Sequence, residues 1–244
     1  MIRTLGLVGA PSSAGAYAPG QEKAPAAFRR HGLVSALVES CLHVNDRGDI
    51  RGFRWRPDPQ RPKAMNVDEV RRVAVAVADR VGDALACGEA VLMLGGDCTV
   101  ELGTVAGALR DDHSVGLVYI DFDVDLNVPE TSDGALDWTG VAHLLDLPGT
   151  EAALSGLGPR RPMLAPADIL YFAADNITPA EAKTVDALDL ERIGLAEVRA
   201  DPVGAARRAV DWGTRYERLL IHLDVDVLSF TDFPIAENVR RCDG

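Results

Sequence analysis

Val115-Gly116-Leu117-Val118-Tyr119-Ile120-Asp121-Phe122-Asp123-Val124-Asp125 joins a continuous apolar run to three aspartates at alternate positions. The first half predicts a buried parallel strand, because a strand covered on both faces is apolar without alternation. The second half places three like charges at the end of that strand, which is costly unless a cation offsets them. A solvated acidic turn would suit a surface loop, whereas a run emerging from a sheet interior favours a metal. Two further segments have the same form. Residues 89–94 lead into Gly95-Gly96-Asp97-Cys98-Thr99, and Leu219-Leu220-Ile221-His222-Leu223 leads into Asp224-Val225-Asp226. Side chains at i, i+2 and i+4 of a strand share a face, so the three segments are expected to converge at one end of one sheet. Ligand sites of open α/β sheets form beyond the carboxyl ends of the strands.

Outward from these segments, strand-like runs at residues 2–10, 42–45, 89–94, 115–120, 169–173, 193–198 and 219–223 alternate with helical patterns. Helices are expected at 24–39, 67–86, from the Gly95-Gly96 turn through Leu109, and at 138–146, 179–187 and 202–216. The strongest carries Val70, Val73, Val77, Val81 and Leu85 at helical spacing. This order predicts an α/β fold with a mainly parallel sheet, and 244 residues suit a single domain over 1–244. The loop at 126–136 is long and lacks periodicity. No repeat or low-complexity tract interrupts the pattern.

A formal charge of -12 argues against nucleic-acid or anionic-membrane partners, because no basic stripe could displace counterions from phosphates. A cationic substrate suits that charge, which also serves solubility. The four cysteines, Cys41, Cys87, Cys98 and Cys242, form no CxxC pair, so a reducing cytoplasm is expected. No apolar run has membrane-spanning length, and the N-terminus opens as a core strand without a signal pattern.

Carboxylates serve hard divalent cations, and a pair of ions sharing carboxylates lowers the pKa of water enough for hydrolytic chemistry. His222 shares a strand face with Asp224 and Asp226. It suits either an orienting partner of a carboxylate or a satisfied core histidine. Cys98, at the first turn of a helix, suits either a metal-bound thiolate or a small buried filler.

In order and separation the three segments resemble the ureohydrolase superfamily, which includes arginase, agmatinase and formiminoglutamase. The family reads Gly-Gly-Asp-His, Asp-Ala-His-x-Asp and Asp-x-Asp-x-x-Asp-Pro. This chain reads Gly95-Gly96-Asp97-Cys98, Asp121-Phe122-Asp123-Val124-Asp125 and Asp224-Val225-Asp226-Val227-Leu228-Ser229-Phe230. Asn127-Val128-Pro129-Glu130-Thr131 resembles the family's Asn-Thr-Pro substrate loop, and Gly134-Ala135-Leu136-Asp137 its Gly-Asn-Leu-His. The resemblance implies a three-layer α/β/α sandwich of the arginase-like type, with the family's C-terminal strand and helix lying beyond this chain. It implies one metal held by Cys98, Asp121, Asp125 and Asp224, and another by Asp121, Asp123, Asp224 and Asp226. Asp125 would help deprotonate the attacking oxygen, Asp137 stands where a histidine protonates the leaving amine, and Asn127 and Asp133 fall in the substrate loop. A trimer or hexamer is also implied.

The departures from the family are chemical. Cys98 and Asp123 replace both histidine ligands, and Asp137 replaces the proton-shuttling histidine. Six ionised ligands would set six negative charges against the four positive charges of two divalent ions. Asp123 suits Mn, Mg or Ca, Cys98 pulls toward softer metals, and either one or two ions are open. Asp133 occupies a position where small hydroxyl residues grip an amino-acid carboxylate, so a guanidino compound other than plain arginine is expected. The reading is therefore a metal-dependent amidinohydrolase, Mn foremost. Its alternatives are a ureohydrolase-fold protein with a binding or regulatory role, and a different C–N hydrolysis with Asp137 as acid and Asp123 as base.

Overall fold

The structure, a computed structural model, describes residues 4–229, 231 and 233. Ile2 of the first expected strand, Phe230 of the third motif, Cys242 and the final Arg241-Cys242-Asp243-Gly244 lie outside the described residues. The chain divides into two compact units, residues 1–112 with 127–163 and residues 113–126 with 164–244.

The first unit is built on a three-stranded parallel sheet. Its elements are β1 (Thr4–Gly9), α1 (Ala24–Arg30), α2 (Leu33–Glu39), β2 (His43–Asp49), α3 (Val67–Ala86), β3 (Ala90–Leu94), α4 (Val100–Ala108), α5 (Gly140–Leu144) and α6 (Ala152–Ser155). The strands run in the order β2-β1-β3, with Leu5 opposite Val44 on one side and Ala90 on the other. Val73, Val77 and Val81 of α3 pack with Ala10, Ile50 and Val100, so the stripe expected at helical spacing does face a core. The single helix expected over 24–39 is two helices. Gly32, at φ 89°, breaks it in the left-handed region that glycine adopts at little cost.

Helices α3 and α4 approach closely because α4 turns two glycines toward α3. A methyl group on Gly103 would lie 2.7 Å from Val77 Cβ, and one on Gly107 would lie 2.7 Å from the Ala78 carbonyl and 2.8 Å from Val81 Cβ. Those neighbours are backbone or β-branched side chains, which cannot swing aside. At the other end of the unit, the fully buried His143 receives the Glu151 amide on Nε2 and donates from Nδ1 to the Thr139 carbonyl. Burial holds it neutral, with its pKa lowered to about 4.

The second unit carries a four-stranded parallel sheet in the order β6-β5-β4-β7. It contains β4 (Val115–Ile120), β5 (Ile169–Phe172), α7 (Pro179–Ala187), β6 (Glu191–Ile193), α8 (Leu195–Ala200), α9 (Pro202–Gly213) and β7 (Arg218–Leu223). Ala205, Ala209 and Trp212 of α9 pack on Val118, Leu170 and Ile193. The Asp201 side chain caps α9 by accepting the Gly204 amide at 2.9 Å. The apolar pattern over 193–198 predicts a strand, but β6 ends at Ile193. Gly194 caps α8 there, and Leu-Ala-Glu-Val-Arg-Ala favours a helix once no strand partner is available. The strand expected over 219–223 forms beside β4, with Leu219, Ile221 and Leu223 exposed among the described residues.

The hydrogen-bonded strands are parallel and flanked by helices, as the α/β reading expects, with β3 in the first sheet and β4 and β7 adjacent in the second. Strand alternation reveals parallel pairing but carries no information on which strand ends up beside which.

Replacing Gly107 with alanine is expected to cost about 1–3 kcal/mol, the usual cost of overpacking. Urea denaturation of the purified variant would measure it, and an unchanged midpoint would refute the close helix contact.

Candidate metal centre

The second motif and the third meet because β4 and β7 are in-register neighbours. Ile120 lies opposite Leu223, and the Asp224 amide donates to the Ile120 carbonyl at 2.9 Å. Asp121 and Asp224, the first residues beyond each strand, therefore emerge at the same level of the sheet. On its other side β4 ends level with β5, where Ile120 lies opposite Phe172.

Beyond the strand ends the backbone turns these acids together. The Asp123 amide donates to Asp121 Oδ1 at 2.7 Å, and the Asp226 amide to Asp224 Oδ1 at 2.8 Å. The Phe122 amide donates to Asp226 Oδ1 at 3.2 Å, linking the two segments directly. Asp121, Asp123 and Asp226 each offer a carboxylate oxygen within 4.8 Å of the others. Asp121, His222 and Asp224 form a second set within the same limit, so Asp121 belongs to both.

The electrostatics of this cluster are those of crowded acids. Burial, then repulsion by Asp224 and Asp226, raises the Asp121 pKa well above the carboxylate range. Burial foremost, with Asp224 and Asp123 adding to it, pushes Asp226 up to about 8. Burial likewise raises Asp123, against which the Asn176 side-chain amide works by donating to Asp123 Oδ1 at 2.5 Å. Without a cation these carboxyls retain protons at pH values where free aspartate has lost them. The donor set fits divalent ions, because oxygen-rich ligands compressed against one another are relieved by a bound positive charge.

Asp125 departs from the alternation expected along 121–125. The chain is no longer a strand there, and Asp125 adopts a left-handed conformation at φ 48°. Its buried carboxylate accepts the Tyr119 hydroxyl at 2.5 Å. Among the described residues the two ligand sets omit it. Tyr119 is held in turn by stacking on the His222 ring, 4.4 Å between centroids and 6° between planes, and by an edge contact with Tyr171. Tyr171 donates to the Val124 carbonyl at 2.7 Å, fixing the turn that carries the aspartates.

The other residues singled out in the sequence lie in the first unit. Cys98 is half-buried in the turn between β3 and α4, beside the fully buried Asp97, whose side chain accepts the Gly15 and Thr99 amides. Asn127 Oδ1 accepts the Thr131 hydroxyl at 3.1 Å, and exposed Asp133 accepts the Ala135 amide at 3.2 Å, so both shape their own loop. Asp137 begins a short 3-10 turn and donates its amide to the Gly15 carbonyl. Sequence reasoning missed Tyr119 and Asn176. Tyr119 sits two residues before Asp121 on the same strand face, and Asn176 follows the carboxyl end of β5, which are the signals that could have found them.

Linkage fixes the sign of a pH effect. Between pH 6.5 and 8 the folded, metal-free chain holds an Asp226 proton that the unfolded chain has released, so its stability falls as pH rises. Calorimetry in chelator should show the melting temperature declining over that interval, Asp226→Asn should flatten the decline, and a flat wild-type profile would contradict it. A divalent ion should raise the melting temperature more at pH 8 than at pH 6.5.

Comparison with known proteins agrees with this geometry. The sequence model of the Arginase family matches residues 3–234. Human arginase-1 is 28% identical over 228 residues, covering 92% of this chain and 71% of that protein. Arginase from Bacillus subtilis superposes with a TM-score of 0.83 at 23% identity, covering 94% of this chain and 77% of that one. A variant of Trypanosoma cruzi formiminoglutamase with Mn2+ gives a TM-score of 0.67 at 21% identity, covering 94% of this chain and 72% of that one. A family match over most of the sequence, the same α/β fold, and acids gathered at the carboxyl ends of β4 and β7 together make this chain a member of the arginase family.

Proposed function

We propose that the protein is a metal-dependent hydrolase that cleaves a C–N bond of a guanidino compound, consuming water and releasing urea and an amine. The observation that carries this reading is the pair of ligand sets overlapping at Asp121, one of them wholly carboxylate. Asp121, Asp123, Asp224 and Asp226 would hold the divalent ions, with Cys98 added by its correspondence to the family's first histidine ligand. Such ions supply Lewis acidity and lower the pKa of water toward neutrality.

The chain's own residues supply the rest. Asp125, buried and hydrogen-bonded by the Tyr119 hydroxyl, is assigned to accept a proton from the attacking water. Asp137, at the position of the family's proton-shuttling histidine, is assigned to the leaving amine. Asn127 and Asp133 are assigned to the far end of the substrate. A carboxylate at Asp133 disfavours an amino-acid carboxylate there, so the substrate class is a guanidino compound with a neutral or cationic tail, which the charge of -12 attracts. Mn2+ is the leading metal, supported by the oxygen-rich ligands and by its presence with the Trypanosoma relative, with Mg2+ or Ca2+ next. We further assign the protein to the cytoplasm as one arginase-like domain in a homo-oligomer. Among the described residues no helix is long and apolar enough to cross a membrane.

Purified protein loaded with Mn2+ should release urea from at least one member of a guanidino panel comprising agmatine, guanidinobutyrate, guanidinopropionate and arginine. Urea formation absent from the whole panel, with metal bound, would refute the reading. In active protein Asp125→Asn is expected to lower kcat by roughly 10²–10⁴, the range for a lost general base. Tyr119→Phe should lower activity by about 10–100-fold while leaving the fold intact, because an orienting hydrogen bond is lost rather than a reacting group.

A further inference from the structure

The geometry points to His222 as a metal ligand: we infer that this chain has moved its imidazole donor from the motif loops onto the end of β7. The inference rests on the proposed metal dependence and concerns which residue supplies nitrogen. In the sequence His222 suits an orienting partner or a core histidine, and its place beside Asp121 and Asp224 adds a third role.

His222 Nε2 lies 3.6 Å from Asp121 Oδ2. That is beyond a hydrogen bond, which ends near about 3.2 Å for nitrogen and oxygen. It matches two ligands on one ion, since bonds of about 2.0–2.2 Å at tetrahedral or octahedral angles place adjacent donors roughly 3.0–3.6 Å apart. Asp224 offers a third ligand atom, and the three residues' ligand atoms all lie within 4.8 Å of one another. The ring has little freedom to leave, because it is stacked in parallel on buried Tyr119. Strand alternation explains how it arrives: His222 shares a face with Asp224, the extended residue that follows β7, whereas Asp226 lies in the 3-10 turn beyond it.

Charge supports the same assignment. Asp121, Asp123, Asp224 and Asp226 carry four negative charges when ionised, which balance two divalent ions. A neutral imidazole adds a donor without adding to that total, whereas an ionised Cys98 thiol would exceed it by one. The two positions then differ in character. The set of Asp121, His222 and Asp224 has a nitrogen donor suited to transition metals, and the set of Asp121, Asp123 and Asp226 is all oxygen and accepts hard ions.

Pulsed electron paramagnetic resonance on the full chain loaded with Mn2+ tests this directly. Protein with 14N histidine should show coupling from a directly bound nitrogen, and protein grown on 15N-histidine should replace it with 15N coupling. His222→Phe keeps a ring on Tyr119 and should abolish the coupling while weakening one of two Mn2+ binding steps by roughly tenfold or more. The combined variant His31→Gln, His43→Gln, His113→Gln leaves His222 untouched and should retain it. His143, the remaining histidine, has both ring nitrogens occupied by backbone groups, so retained coupling identifies His222 even if the phenylalanine variant fails to fold. Bound Mn2+ without nitrogen coupling, coupling that survives in His222→Phe, or coupling lost in the combined variant would overturn the inference and leave metal dependence standing. No Mn2+ binding at all would overturn both.

Discussion

Everything at the candidate site follows from one constraint: in-register parallel pairing of β4 with β7 forces aspartates from two distant segments to the same level of one sheet. With Ile120 opposite Leu223, Asp121 and Asp224 have to emerge side by side, and the turns after them bring in Asp123 and Asp226. Burial foremost, and repulsion among the acids after it, raises the proton affinities of Asp121, Asp123 and Asp226. Packing overrides that repulsion. The apolar interior of β4, sealed by α9 through Ala205, Ala209 and Trp212, holds the strand ends where the acids would separate if they were free.

The surroundings are organised to hold this crowd still. Tyr119 is fully buried, stacks on His222, meets Tyr171 edge-on and donates to Asp125, so one side chain touches three parts of the cluster. Tyr171 ties the aspartate turn to β5 through the Val124 carbonyl, and Asn176 donates to Asp123 from the loop after the same strand. Backbone amides of Phe122, Asp123 and Asp226 point at the carboxylates and offset part of their charge. A site arranged in this way is preorganised, because its donors need no reorganisation to receive an ion.

The substitutions that separate this chain from its family's motif pattern gain a common explanation from that arrangement. Histidine is absent from positions 98 and 123, yet a histidine stands at 222, within ligand distance of Asp121 and Asp224. Asp123 in place of a histidine is accommodated by Asn176, whose amide stabilises a carboxylate and would offer nothing comparable to a protonated ring. With His222 as the inferred nitrogen donor, the chain would keep oxygen and nitrogen donors together while redistributing which strand supplies each.

Much of the fold is legible in the sequence because burial leaves a direct imprint on residue order. The valine stripe of α3 predicts a helix over 67–86, and the unbroken apolar run at 115–120 predicts β4, and both elements have those limits. The acidic character at the ends of β4 and β7 is equally plain. Three things are not: that Gly32 splits the first helix, that residues 195–200 coil into α8, and that Asp125 takes a left-handed conformation and accepts the Tyr119 hydroxyl. Each depends on a partner distant in the chain or on one backbone angle, which local pattern does not encode. The sequence by itself determined most of the element types, the parallel pairing and the family, since these follow from periodicity and short motifs. Only the tertiary structure decided that His222 faces Asp121 and that Phe122 binds Asp226, because strand order and register are set by packing across more than a hundred residues of separation.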